Sequence, residues 1–339
     1  MAFIVQKFGG TSVANGKARA CLLAKVAKAA SGGGRVAVVV SAMGRRGDPY
    51  ATDTLLSLLD EASPDGGATV DPLVRDLLAS TGEVISASLV AALLTAQGTK
   101  AQPLTAYTAG IRAEGPFGDA EISGVDPRPI RELLDQGVVP VIAGFQAIDP
   151  KGRLVTLGRG GSDTTAVGIG AFLKADFVDI YTDVPGVAAA DPRVVPEARF
   201  LPYLSYRDMY RLAMNGARVL HDKSATLGER QGVLIRVRST FDDGEGSLIG
   251  PARSEAGRPA LLGIALQGRG PEPVVVAALF AQGERRRHEA AVEGLGSEAG
   301  CARLPSEDPD AVLLGCPAAS AGELARRLYS LLSPFSASV

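Results

Sequence analysis

The 339-residue chain has no tryptophan, two histidines and an aromatic content of 5%. His221 and His288 stand far from each other and from any cysteine cluster, which leaves little room for a zinc site, a metalloprotease helix or a Ser-His-Asp hydrolase. Scarce aromatic surface argues against base-stacking and carbohydrate-binding platforms. The three cysteines, Cys21, Cys301 and Cys316, are odd in number and show no CxxC spacing. They are expected to be reduced, buried or incidental thiols of a cytoplasmic protein. No apolar run reaches the roughly 18 residues of a membrane span. The first residues, MAFIVQKFGG, lack a basic segment ahead of a cleavable apolar stretch, so no secretion signal is expected. Charge is nearly balanced, 35 Lys and Arg against 37 Asp and Glu, which gives no electrostatic footprint for nucleic acid or a membrane.

What the chain does contain is an apolar fraction of 46% with 21% charged residues, the balance of a soluble globular protein with a sizeable core. Its length suits two domains. Residues 2–8 (AFIVQKF), 35–41 (RVAVVVS), 138–145 (VVPVIAGF), 176–182 (DFVDIYT) and 233–239 (VLIRVRS) are short, largely apolar runs, the pattern of strands buried on both faces. Between them the spacing predicts helices from Thr11-Ser12 to about Ala30, over 72–98, 127–136, 163–174 and 205–228. Strands alternating with helices predict an α/β fold with a mostly parallel sheet covered on both faces. The Gly, Pro and charge of 242–259 read as a boundary, dividing a first domain, 1–250, from a module of about 80 residues, 260–339. That module reads as strands GIALQG and VVVAALF, helix ERRRHEAAVEGL, strand DAVLLGC and a final helix AGELARRLYSLL. Such an α+β order fits a ferredoxin-like layout, and the three arginines of its first helix read as a solvated face.

Three segments carry the chemistry. In Lys7-Phe8-Gly9-Gly10-Thr11-Ser12 a strand delivers Lys7 to its end, and two glycines follow where backbone must approach a ligand closely. Ser12 is expected to cap the next helix, leaving free N–H groups aimed at an anion; the plain alternative is a strand-to-helix connection, and no P-loop is present. The second segment, Gly158-Arg159-Gly160-Gly161-Ser162-Asp163-Thr164-Thr165, again lies between a strand and a helix. Arg159 offers a planar fork for a carboxylate or phosphate, which a tight turn with an N-cap Asp does not require. Asp163 can orient Lys7 or hold a metal. The third, Tyr181-Thr182-Asp183-Val184-Pro185-Gly186 leading to Ala190-Asp191-Pro192-Arg193, puts polar groups at a strand end, where open α/β sheets bind ligands.

The motifs KFGGTSV, VVVSAMG, GDPYATDTLL, STGEVIS, VIAGFQ, GRGGSDTTA, YTDVPGV, ADPRVV, NGARVLH and IRVRSTF occur in the order found in aspartate kinases, from residue 3 to about 250. The chain resembles that family, and its GDPYATD segment is most similar to the bacterial enzymes serving diaminopimelate and lysine synthesis. The resemblance implies an amino-acid kinase fold, a three-layer αβα sandwich with a mostly parallel central sheet, followed by a small ACT-like module. It implies transfer of the γ-phosphoryl of ATP, with Mg2+, to the side-chain carboxylate of L-aspartate, the first step towards lysine, threonine and methionine. It further implies a nucleotide site at Lys7, Gly9, Gly10, Ser41, Thr182, Asp183, Asp191, Pro192 and Arg193, with Arg218 as a further cation. The aspartate site would use Thr52, Asp53, Glu83, Arg159, Gly160, Gly161 and Ser162. Glu83 would balance the substrate ammonium; without the resemblance it reads as a surface acid capping a helix. A cytoplasmic homodimer with no nucleic-acid or membrane partner is expected.

The reaction suits a chain poor in histidine, because a carboxylate acceptor with a pKa near ~4 is already ionised and needs no general base. Phosphoryl transfer needs positioning and charge neutralisation, for which Lys7 is the natural cation, fixed in place by Asp163. The chain departs from the family pattern at Ala188-Ala189, where Tyr-Thr is usual, at Arg218, where Lys is common, and at Asp222, where Pro is frequent. Aspartate kinases usually carry two ACT modules, whereas about 80 residues follow the kinase part here. The tail is therefore expected to dimerise or to dock a separate regulatory chain rather than to sense lysine or threonine. Two rivals stand beside the aspartate kinase: a relative with another amino-acid acceptor, and a non-catalytic regulator.

Overall fold

The structure, a computed structural model, describes residues 2–62, 70–217, 219–253, 260–268 and 274–333. The chain forms two compact units, residues 1–185 with 223–250, and residues 186–222 with 251–339. Residues 186–222, which the sequence reading places in the first domain, thus group with the C-terminal part.

In the first unit the central sheet runs Ser247–Gly250, Ile235–Ser239, Phe177–Thr182, Phe3–Phe8, Arg35–Val40, Val139–Ala143, Ala101–Leu104. Every pair is parallel except Ile235–Ser239 with Ser247–Gly250. All five strands expected from apolar runs are present, and the Lys7 strand lies at the centre. The side chains of Val36, Val38 and Val40 pack with Leu22, Leu23 and Val26 of the helix Gly16–Ala30 and with Ala87, Val90 and Leu94 of the helix Thr81–Ala96. The first of these helices starts at Asn15, whose side chain accepts the Ala18 N–H.

The opposite face is covered by the helix Gly161–Leu173. This helix is buried almost all round because a second sheet, Glu121–Val125, Ile111–Glu114, Gln146–Ile148, Leu154–Thr156, lies beyond it. Its alanines and glycines follow from that: a Cβ at Gly168 would come 2.8 Å from Ile122 Cδ1. The three-layer αβα sandwich with a mostly parallel central sheet is borne out.

Three expected helices are broken; the stretch from Thr11 to Ala30 forms Gly10–Val13 and Gly16–Ala30. The 72–98 stretch forms Pro72–Ala79 and Thr81–Ala96, because the hydroxyls of Ser80 and Thr81 bond back to the carbonyls of Leu77 and Leu78 and turn the chain. Pro72–Ala96 is apolar and long enough by composition to cross a membrane, yet half of its most apolar window is buried. The 205–228 stretch forms Tyr206–Met214 and Asp222–Gln231, interrupted at Asn215-Gly216, where Gly216 has φ +107°.

The second unit holds an antiparallel sheet, Leu261–Gln267, Val274–Phe280, Ala311–Cys316, Ala302–Leu304, with helices Arg285–Glu298 and Ala318–Leu332. Moving its first strand to the end gives β-α-β-β-α-β, the ferredoxin-like order. The three-residue strand Ala302–Leu304 is not legible as an apolar run. Buried Arg211 ties the helix Tyr206–Met214 to this sheet by bonds to Asp308 (2.6 Å) and to the carbonyls of Phe280 and Asp310. Cys301 and Cys316 form a disulfide, contrary to the expectation of reduced thiols. Pairing of Ala302 with Gly315 makes them cross-strand neighbours, a proximity that their spacing of 15 does not reveal.

Candidate functional site

The parallel strands end along one edge, where a cavity of about 550 Å³ opens in the first unit. Ten residues singled out from the sequence line it: Lys7, Gly10, Ser41, Thr52, Glu83, Arg159, Gly160, Gly161, Ser162 and Asp163. Lys7, one residue from the end of the central strand, meets Asp163 of the helix Gly161–Leu173 at 2.6 Å, with both residues 9% exposed. Of the two uses open to Asp163, orienting Lys7 is the one this geometry serves.

The turn after Lys7 is tight. Gly9 donates its N–H to Tyr181 O, and Gly44 donates to Gly10 O. A Cβ on Gly10 would lie 2.7 Å from Gly44 O and 2.9 Å from Ala42 O, both backbone atoms that cannot yield cheaply. Gly10→Ala is therefore expected to destabilise the protein by about 1–3 kcal/mol. Gly16→Ala, facing open space in a helix, should be neutral or stabilising. Urea unfolding of the two variants checks this contrast. Ser12 is not a helix cap as expected. Gly9 occupies that position without a side-chain bond, and Ser12 Oγ instead meets Thr240 Oγ1 at 2.6 Å.

The glycine-rich segment turns with left-handed residues at Gly158 (φ +73°) and Gly160 (φ +68°), conformations glycine adopts without strain. Gly160 precedes the helix Gly161–Leu173. Arg159 on this turn is exposed, lines the cavity and pairs with no carboxylate among the described residues.

Glu83 lies in the first turn of Thr81–Ala96 and is 3% exposed, so it is not a surface cap. Its Oε1 accepts the Ala42 N–H at 3.0 Å, while Oε2 is buried without a partner. Burial pushes its carboxyl up to about 8, against the lowering effects of the Ala42 and Glu83 N–H groups and Lys7. A buried carboxyl that lines a cavity with one oxygen unpartnered suits a positively charged ligand group.

The other expected residues stand elsewhere. Asp53 is exposed on Thr52–Ser57 and does not line the cavity. Thr182 ends the strand beside Lys7 and Asp183 follows it; Thr182 Oγ1 donates to Asp183, and Arg45 pairs with Asp183 at 2.8 Å. Asp191, Pro192 and Arg193 belong to the second unit, where Asp191 and Arg193 form an ion pair at 2.6 Å. Arg218 lies outside the described residues. Sequence reasoning missed Arg75, Asp76, Gly118, Phe145 and Thr156 of the cavity wall. Phe145 had a signal only in hindsight, following Gly144 at a strand end; it is left-handed at φ +70°, a strained conformation of the kind concentrated at ligand sites.

The sequence profile of the Amino acid kinase family matches residues 2–239, more than two-thirds of the chain. The chain belongs to the amino acid kinase family. It is 43% identical over 251 residues to Aspartokinase 1 of Bacillus subtilis (strain 168), covering 74% of this chain and 61% of that protein. It is 43% identical over 268 residues to an aspartokinase of Thermus thermophilus, covering 78% and 63%. The chain thus spans about six-tenths of the length of these two relatives. Among solved structures it is similar to E. coli aspartokinase III in complex with aspartate and ADP in the R-state. That match has 26% identity and a TM-score of 0.65, covering 98% of this chain and 83% of that one.

Proposed function

We propose that this amino acid kinase is an aspartate kinase, transferring the γ-phosphoryl group of ATP to the side-chain carboxylate of L-aspartate to give 4-phospho-L-aspartate. The observation that carries the reading is the Lys7–Asp163 pair, set at the end of the central strand in one cavity with Arg159 and Glu83. Similarity to proteins named aspartokinases, one solved with aspartate and ADP, supports it.

Lys7 stabilises the negative charge that spreads over the equatorial oxygens of the transferring group, and Asp163 holds its ammonium at that point. Arg159 grips the α-carboxylate bidentately. Glu83 receives the α-ammonium, and Ser162 and Thr52 complete the acceptor pocket with Gly160 and Gly161. No residue has to remove a proton from the acceptor. Gly9, Gly10 and Ser41 let the nucleotide phosphates approach the strand end, with Thr182 and Asp183 assigned to the nucleotide. Bound Mg2+ would supply further charge neutralisation to the phosphates. Among the described residues no three acids or histidines form a metal cluster. That donor set fits an ion held mainly by phosphate oxygens and water, with few carboxylates.

We assign the kinase domain to residues 1–250 and an ACT-like module to 260–339, in a cytoplasmic homodimer. The ferredoxin-like strand order of the second unit supports the module. ATP turnover with hydroxylamine trapping tests the function. Acyl hydroxamate is expected with L-aspartate and not with L-glutamate or without acceptor. A folded protein that binds ATP and yields no hydroxamate with any acceptor would overturn the kinase reading in favour of a regulatory binding protein.

A further inference from the structure

Asp76 has no part in the scheme above, yet it sits in the wall of the same cavity. It lies on the helix Pro72–Ala79 and is 2% exposed. Its Oδ2 accepts two backbone N–H groups, from Gly118 at 2.9 Å and Thr156 at 2.7 Å. Both donors also line the cavity, so Asp76 pins the turn at Gly118 and the end of the strand Leu154–Thr156 to one helix. Its other oxygen takes no hydrogen bond from any described residue. Seven positions on, in the next helix, Glu83 likewise has one oxygen bonded to backbone in the same cavity, and its other oxygen is buried and unpartnered.

Buried carboxyl oxygens are seldom left without donors. Two carboxyl groups, each with an oxygen that takes no hydrogen bond from a described residue, in one cavity with Lys7 and Arg159 suit a ligand that carries several N–H donors and a positive charge at one end and negative charge at the other. An amino acid's ammonium has three donors, enough for both acids. We infer that Asp76 is a second ammonium-binding residue of the acceptor pocket, receiving one N–H while Glu83 receives another. The inference rests on the amino-acid-acceptor reading above and deepens it: the site selects an acceptor by its free α-amino group, not by its carboxylates alone.

Asp76→Asn separates this from a purely structural role. The side-chain carbonyl of Asn can keep the bonds to Gly118 and Thr156, while its NH2 group replaces the free oxygen and repels an ammonium. The KM for L-aspartate is expected to rise about tenfold or more, the loss of a charge-assisted hydrogen bond, with the KM for ATP and the thermal midpoint unchanged. Succinate, which has the same two carboxylates and no amino group, should bind wild type and variant equally as a competitive ligand. Unchanged aspartate affinity, or succinate weakened in the same proportion, would overturn the inference. Asp76→Glu keeps the charge but displaces it, and serves if the Asn variant does not fold: aspartate affinity should move while succinate affinity holds, and parallel changes count against the inference. Calorimetric binding is read alongside turnover. A wild type that binds aspartate without phosphorylating it defeats the kinase reading, while the aspartate-to-succinate ratio still decides Asp76. A wild type that binds no aspartate defeats both.

Discussion

Lys7→Ala is expected to lower kcat by at least about a thousandfold, with aspartate binding largely kept. The ammonium is the one side-chain cation held inside the cavity by an ion pair among the described residues, and charge stabilisation in a desolvated site commonly carries factors of this size. The variant should also be less stable. Asp163, 9% exposed beside Lys7, would lose its partner, and breaking a largely buried pair from one side costs about 3 kcal/mol or more. Adding Asp163→Asn to Lys7→Ala should recover much of that stability and none of the turnover. Thermal unfolding and hydroxamate formation, measured on the same preparations, check both halves. Turnover in Lys7→Ala within tenfold of wild type would remove Lys7 from the chemistry.

Glu83→Gln is expected to show its effect through pH. In the unfolded chain the group titrates near its ordinary value of 4.5; in the folded, empty site burial moves it to about 8. Below 4.5 it is protonated in both states and contributes nothing. From 4.5 to 8 the folded state keeps a proton that the unfolded state releases, so wild-type stability falls as pH rises, and the loss is complete above 8. Glu83→Gln, neutral throughout, should escape it, becoming the more stable protein by a margin of order 1 kcal/mol or more at pH 9. Ligand binding runs the other way. An ammonium against Glu83 favours the ionised carboxyl, so aspartate affinity should tighten by up to about tenfold per pH unit between 6 and 8, with proton release. Glu83→Gln should bind weakly and flatten that slope. Calorimetry in buffers of different ionisation enthalpy measures the proton, and a wild-type slope of zero would contradict a proton held on Glu83.

How far each of these residues could be read from sequence differs with where it sits. Lys7, Arg159 and Asp163 stand in short motifs beside glycines at strand ends, so local pattern alone marks them as ligand-facing. Their pairing is another matter: Lys7 and Asp163 are 156 positions apart, and only the crossing of the Gly161–Leu173 helix over the central strand brings them to 2.6 Å. Asp76 lies mid-helix among leucines and looks like an ordinary polar position. Its two backbone donors, Gly118 and Thr156, lie 42 and 80 positions away in the chain. Cys301 and Cys316 likewise look unrelated until strand register places them side by side.

The sequence by itself determined the most apolar strands and most of the helices, because burial on two faces writes itself as apolar runs and burial on one face as helical spacing; Ala101–Leu104, Ser247–Gly250 and the whole second sheet carry no such run. It also determined the family, because ten motifs stand in the family's order from residue 3 to about 250. Only the tertiary structure decided which carboxyl groups face the cavity with an oxygen to spare. It decided too that Glu83 is buried deeply enough to hold a proton near pH 8. Burial of a single side chain depends on elements far away in the chain, and no local pattern of residues records it.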